Sequence, residues 1–244
     1  MGMKKEGLKL FENGKRIDGR AYDELRPIKM EVGVLKRADG SCYLEWGGNK
    51  VLAAVYGPRE CLPRHTQDPL KARINYRYNM APFSTDERVR PGPSRRSIEI
   101  SKLSKEALEH VIFTEYFPKT SIDIFVEILQ ADAGTRCAGL TAASLALADA
   151  GIPMKSLITA CAAGKIDGKV VLDLGKLEDN FGEADLPIAY MPRTKELVYL
   201  QMDGDLTKDE FKEALRLALK GCDEIYRIQR DALKKAYEGE VNGR

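Results

Sequence analysis

At 244 residues and 27.2 kDa, with 43% hydrophobic residues, the chain is long enough to bury a real core as one large domain or two small ones. Its 39 Lys+Arg against 37 Asp+Glu leave a net charge of only +2, which excludes attraction to polyanions by the whole-molecule field. Any affinity for nucleic acid has to come from local clustering of charge.

From residue 28 to 56, short β-type runs broken by Ala38-Asp39-Gly40 and Gly47-Gly48-Asn49 predict a meander of three antiparallel strands. A basic segment over 57–71 leads to a strand at 72–79 and then to a polar connection ending in Pro91-Gly92-Pro93-Ser94, too long to be idle packing. Ser94 caps a helix with Ile98, Leu103, Leu108 and Ile112 expected inward, closed by Phe117-Pro118. A strand at 122–130 follows, and Ala131 to Arg136 feed an Ala/Leu-rich helix to about Asp149, stopped by Gly151 and Pro153. The second half repeats this order: a hairpin about Asp167-Gly168, a strand at 170–174, an acidic loop, and strands at 186–191 and 197–202. A capping box, Thr207 to Glu210, then opens a helical pattern to about Tyr237, with a frayed tail over 238–244. The expected organisation is a single domain, 1–244, built of two similar halves at roughly 15–150 and 151–240.

The five cysteines are widely separated, with no C-x-x-C pair and no histidines beside them, so they read as reduced core thiols. Residues 1–6 lack the apolar stretch of a signal peptide, and no run of about 18 apolar residues occurs. A cytoplasmic protein without a membrane partner is the expectation.

Two histidines, His65 and His110, are too few and too poorly placed for a Ser-His-Asp or Cys-His enzyme, and neither type of glycine-rich nucleotide loop is present. The arginines are more informative. Arg95 and Arg96 sit in the first turn of one predicted helix and Arg136 at the start of another, where the helix dipole disfavours cations unless an anion is bound. Gly134 and Thr135 suit such an anion, through close backbone N–H approach and a hydroxyl donor; capping by Thr135 with Arg136 reaching solvent accounts for the motif equally well.

In Glu178-Asp179-Asn180-Phe181-Gly182-Glu183-Ala184-Asp185, Gly182 can turn the chain so that Asp179 and Asp185 converge. Such a pair holds a hard divalent cation, or donates a proton through the member whose pKa is raised; a solvated surface loop is the plainer alternative. Glu178 and Glu183 are read as surface or supporting groups. Between Arg59 and Arg96 lie nine Lys/Arg and four acids, a local +5, interleaved with His65, Tyr76, Tyr78 and Phe83. That mixture suits single-stranded nucleic acid, and equally a solvated edge with its aromatics in the core.

Taken together, Arg16-Ile17-Asp18-Gly19-Arg20, Phe83 to Arg88, Pro93 to Ile100, Gln130 to Arg136, and Glu178-Asp179 with Asp185 resemble the RNase PH family, within it the catalytic branch of the archaeal exosome. The resemblance runs nearly the full length. It implies an α+β fold, a duplicated β-α unit of the ribosomal protein S5 domain 2-like type. It further implies a 3'-to-5' exoribonuclease in which inorganic phosphate attacks the terminal phosphodiester and releases nucleoside diphosphates.

Carried over motif by motif, Arg96, Thr135 and Arg136 with the Gly134 backbone hold phosphate. Asp179 and Asp185 bind Mg²⁺ (or Mn²⁺) or act as the general acid, and Arg64, His65 and Arg95 grip the 3' end of single-stranded RNA. The implied assembly is a six-membered ring shared with a catalytically inactive homologue, with RNA-binding cap subunits on one face. Ile100 to Glu106 replace a more basic helix of bacterial RNase PH, and Cys137 stands where another threonine is usual; both favour the exosome branch. The rival readings are a non-catalytic RNA-binding or scaffolding ring subunit, and hydrolysis by carboxylate-bound metals with Asp132 recruited.

Overall fold

The computed structural model describes residues 9–12 and 14–241. The expectations for residues 1–6 and 242–244 lie outside the described residues. The first two strands, β1 (Phe11–Glu12) and β2 (Lys15–Arg16), form a small separate sheet.

The expected meander is present as β3 (Ile28–Val32), β4 (Gly40–Trp46) and β5 (Asn49–Glu60), all antiparallel, with Gly47-Gly48 as a two-residue hairpin. Next come β6 (Arg73–Met80), helix α1 (Arg95–Val111), β7 (Thr120–Gln130) and helix α2 (Thr135–Asp149). Strands β3, β4, β5, β7 and β6 make one five-stranded sheet in that order, parallel only between β6 and β7, where α1 supplies the crossover.

The second sheet holds β8 (Thr159–Ile166), β9 (Lys169–Leu172), β10 (Ala184–Met191), β11 (Glu196–Leu200) and β12 (Asp203–Gly204). Between β9 and β10 runs a short helix, α3 (Lys176–Phe181), and the chain closes with α4 (Lys208–Val241). Mixed sheets with helices are the expected α+β class. The helix α4 continues through residues 238–241, so that part of the expected frayed tail is helical.

Helix α2 packs against both sheets, touching β4, β5 and β7 on one side and β8 and β10 on the other. This explains its composition, because a helix with sheets on both faces has room only for small side chains near the closest approach. A Cβ on Gly40 would lie 2.3 Å from the Ala146 carbonyl oxygen, so β4 meets the helix backbone to backbone. One hydrophobic cluster, including Leu44, Val51, Ile124, Leu145, Leu147, Ile158 and Leu186, runs through both sheets.

In α1 the phase differs from the expectation. Ile98 is 60% exposed, and the buried residues are Ile100, Ser104, Ala107, Leu108 and Val111. The reciprocal Ser94/Ser97 capping box sets where the first turn starts, and that start turns the residue-98 position outward. The five cysteines are buried and unpaired, as core thiols.

Candidate active site

Strand β7 ends at Gln130, and the chain reaches α2 through Ala133 (φ 58°) and Gly134 (φ 68°), two consecutive left-handed residues. With Gly134 at the N-cap, no side chain caps the first N–H groups of α2. Thr135 is not the cap: its hydroxyl pairs with the buried Tyr78 hydroxyl at 2.8 Å. Nor does Arg136 extend freely into solvent, since its guanidinium donates to Tyr199 Oη at 2.9 Å and to Gln201 Oε1. Arg96, exposed in the first turn of α1, lies beside the Tyr78 hydroxyl, where its charge acts on both Asp179 and Asp185.

The acidic stretch is not a loop throughout: its first four residues complete helix α3 and its last two open β10. Gly175 opens α3, the Glu178 carboxylate accepts from the Gly175 N–H at 2.7 Å, and Gly182 closes the helix against β8. A Cβ on Gly182 would sit 2.4 Å from the Glu178 carbonyl and 3.1 Å from that of Lys165, so glycine is required for space. Strand β10 then begins, pairing Asp185 with Gly164 on one side and Asp203 on the other. Asp179, Asp185 and Gly134 line the same small cavity with Trp46, Cys137, Ala162, Asp173 and Leu174. The carboxylate pair and the start of α2 therefore converge.

Their electrostatics are unequal. Burial, the neighbouring Asp179 charge and Asp203 together push the Asp185 carboxyl up to about 7, against the pull of Arg136 and Arg96. Its Oδ1 is buried without a hydrogen-bond partner. Asp179 keeps more of its surface open, yet desolvation still raises its carboxyl, opposed by Arg96, Arg136 and Arg26. Both carboxyls are thus raised, and Asp185 is the one brought to where it can keep a proton near neutral pH.

Of the two readings offered for it, surface or supporting, Glu178 takes the second: it is 1% exposed and forms a two-point ion pair with Arg16, whose Nε donates to Glu178 Oε1 at 2.7 Å. Arg16 also donates to the Leu172 and Asp173 carbonyls, and Arg20 pairs with Asp18 and, at 3.7 Å, with Glu178. The Arg16 to Arg20 motif thus anchors α3, and with it Asp179. Glu178→Gln would leave Arg16 buried without its counter-charge, so we expect a loss of about 3–5 kcal/mol in a denaturation titration. A loss below about 1 kcal/mol would contradict this role. Glu183 is exposed and pairs with Lys165, as expected of a surface group.

Two further parts of the sequence reading change. Tyr76 and Tyr78 are 8% and 3% exposed, because β6 alternates inward and outward and both fall on the inner side; of the tract, Phe83 and His65 remain open. The structure does not bring Arg64 and His65 to the cavity. They follow β5, whose Glu60 end pairs with Thr120 while its Lys50 end pairs with Gln130, so they lie a strand length, about 30 Å, from the start of α2. Arg95 is exposed beside Arg96. The contributions of Tyr78, Tyr199, Gln201 and Asp203 carried no motif, and only chain packing reveals them.

Residues 24–153 match the 3' exoribonuclease family, domain 1 (RNase PH), and residues 156–221 match its domain 2. The chain belongs to this family. It is 68% identical over 233 residues to the exosome complex component Rrp41 of Thermococcus kodakarensis, covering 95% of this chain and 94% of that protein. With the Rrp41 of Methanopyrus kandleri it is 66% identical over 231 residues, covering 95% and 97%. Among solved structures, rice (Oryza sativa) Rrp46 matches with a TM-score of 0.81 at 25% identity, over 90% of this chain and 100% of that one. An Archaeoglobus fulgidus exosome with RNA bound to the active site shares the fold, with a TM-score of 0.75 at 22% identity over 87% and 92% of the two chains. Among the described residues no helix is long and apolar enough to cross a membrane.

Proposed function

We propose that this chain is the catalytic subunit of an exosome ring, a 3'-to-5' exoribonuclease that degrades single-stranded RNA by phosphorolysis. The observation that carries the reading is the cavity where an uncapped helix N-terminus, flanked by Arg96 and Arg136, meets two carboxyls of unequal acidity. Inorganic phosphate docks on the Gly134, Thr135 and Arg136 backbone and the Arg136 side chain, and an oxygen of it attacks the last phosphodiester. The bond to the 3' oxygen of the preceding nucleotide breaks, releasing a nucleoside diphosphate. Arg96 and Arg136 neutralise the charge gathered on the two phosphoryl groups, and protonated Asp185 supplies the proton that the leaving oxygen takes up.

No group of three or more His, Cys, Asp or Glu that could hold a metal ion occurs among the described residues. The orphaned Asp185 oxygen beside Asp179 nonetheless fits a hard cation such as Mg²⁺ or Mn²⁺, completed by water and substrate oxygens, whose contribution would be charge neutralisation. Binding it requires Asp185 ionised, whereas proton donation requires it neutral, so one carboxyl does not serve both roles at the same instant.

In this reading Arg95, exposed in the first turn of α1, holds the terminal RNA phosphates, and Arg64 and His65 hold RNA several nucleotides upstream. In the assembled complex, Arg64→Ala is expected to weaken binding of long single-stranded RNA several-fold and to lower its salt slope by about one, with tri- and tetranucleotides unaffected. Equal loss on short and long RNA would return Arg64 to the reaction centre.

We further infer that the two sheets with their helices are two similar halves, roughly 15–150 and 151–240, of one domain. A catalytically inactive homologue alternates with this chain in a six-membered ring that carries RNA-binding caps, in the cytoplasm. Exposed Leu197 and Leu200 on the edge strand β11, with Met202 just beyond it, suit such neighbour contacts. The deciding assay incubates the complex with labelled RNA: nucleoside diphosphates should appear only with phosphate, and excess diphosphate should extend the RNA. Monophosphates formed without phosphate would instead indicate hydrolysis.

A further inference from the structure

The Gly47-Gly48-Asn49 turn, read from sequence only as hairpin chemistry, lies directly under the start of α2. Asn49 is fully buried; its Nδ2 donates to the Ala133 carbonyl at 2.6 Å and its Oδ1 accepts from the Asp132 N–H at 2.6 Å. The Gly48 N–H donates to Asp132 Oδ2 at 3.2 Å, and a Cβ there would lie 2.6 Å from that oxygen. A Cβ on Gly47 would lie 2.6 Å from Cδ of Arg26. Each of the three turn residues is therefore fitted either to the loop at 132–133 or to Arg26.

Arg26 completes the arrangement from the other side. It donates to the Asp132 carbonyl and, at 3.5 Å, to that of Ala133, while its Nε and Nη2 hold the Asp173 carboxylate at 3.0 and 2.7 Å. Asp173 also accepts from Trp46 Nε1 at 2.9 Å. It has φ 54° and stands two residues before Gly175, where α3 and Asp179 begin. Two non-glycine residues in the left-handed region, the cavity-lining Asp173 and Ala133 next to the cavity-lining Gly134, are thus tied to one guanidinium.

We propose that Arg26 and Asn49 are positioning residues for phosphate: together they clasp the loop at 132–134 by its carbonyls and fix it against the Asp173–α3 connection. The loop's backbone acceptors are turned inward, which leaves the N–H groups at the start of α2 facing the cavity as an anion cradle. A planar fork is needed, because a single ammonium does not reach Asp173 and both carbonyls at once. Neither residue touches the reacting atoms.

This inference rests on the phosphorolytic reading, and the test separates the two. Arg26→Lys and Asn49→Ala are each introduced into the assembled complex, and KM for phosphate, KM for RNA and kcat are measured. The expected result is a tenfold or greater rise in KM for phosphate in both, KM for RNA within twofold, and a less than additive effect in the double variant. An unchanged KM for phosphate, with activity falling only in proportion to folded protein, overturns the clasp. Should Arg26→Lys fail to fold, Asn49→Ala decides, since it removes no charge. If the unaltered complex proves inactive, the phosphorolytic reading fails, but the melting shift produced by inorganic phosphate still tests the clasp. That shift should shrink in Asn49→Ala, and an equal shift in both proteins refutes it.

Discussion

Asp185→Asn is expected to abolish phosphorolysis, by about 10³-fold or more in kcat, while making the chain more stable at neutral and higher pH. In the folded protein the Asp185 carboxyl titrates at about 7, against an ordinary 3.8. The folded state therefore holds this proton more tightly than the unfolded one, and stability declines as pH rises through that window. Asparagine mimics the protonated acid and removes the decline. A shift of about three units corresponds to at most roughly 4 kcal/mol. Partial solvent contact reduces this to about 1–3 kcal/mol, or some 3–10 °C in melting temperature for a chain of this size. The gain should be present at pH 8 and vanish near pH 4, measured with EDTA and without phosphate. A pH-independent difference in melting temperature would remove Asp185 from the role of retained acid.

The second large effect is expected at Arg136. Its guanidinium is held by Tyr199 and Gln201 beside the uncapped helix start, so it is pre-positioned for an oxyanion. Arg136→Ala should lower kcat/KM for phosphate by about 10²–10³, and Arg136→Lys should restore little of it, because one ammonium replaces a fork held at two points. Steady-state phosphorolysis with phosphate as the varied substrate measures this. A loss below about threefold in Arg136→Ala would assign the phosphate to Arg96 and the backbone alone. Burial and the Tyr199 hydroxyl act on Arg136 in opposite directions, and the net effect keeps it charged throughout the accessible pH range.

Local sequence chemistry carried much of the fold. The Gly47-Gly48 turn, the Ser94 cap and the Thr207/Glu210 capping box each mark their element correctly, because a turn type or cap depends on a handful of neighbouring residues. The arginines at two helix starts pointed to an anion on a purely local argument. Long-range pairing was not legible. Glu178 looks like any surface acid until Arg16, 162 residues away, is seen to bury it. Tyr78 and Tyr76 look like stacking groups until the sheet turns them inward. Arg64 and His65 are near the basic tract in sequence, but an antiparallel strand carries them to the far end of the sheet.

By itself, then, the sequence determined the family, the α+β class and the residue types of the candidate site, since motif order and local caps are properties of short stretches. Only the tertiary structure decided which groups share one cavity and how acidic each is. Burial in the surrounding core, with the Asp179 and Asp203 charges, raises the Asp185 carboxyl, and the loop before Gly134 is bonded by Asn49 from β5 and by Arg26 from the segment ahead of β3. Burial and charge proximity are sums over neighbours distant in the chain, and no short stretch of sequence contains them.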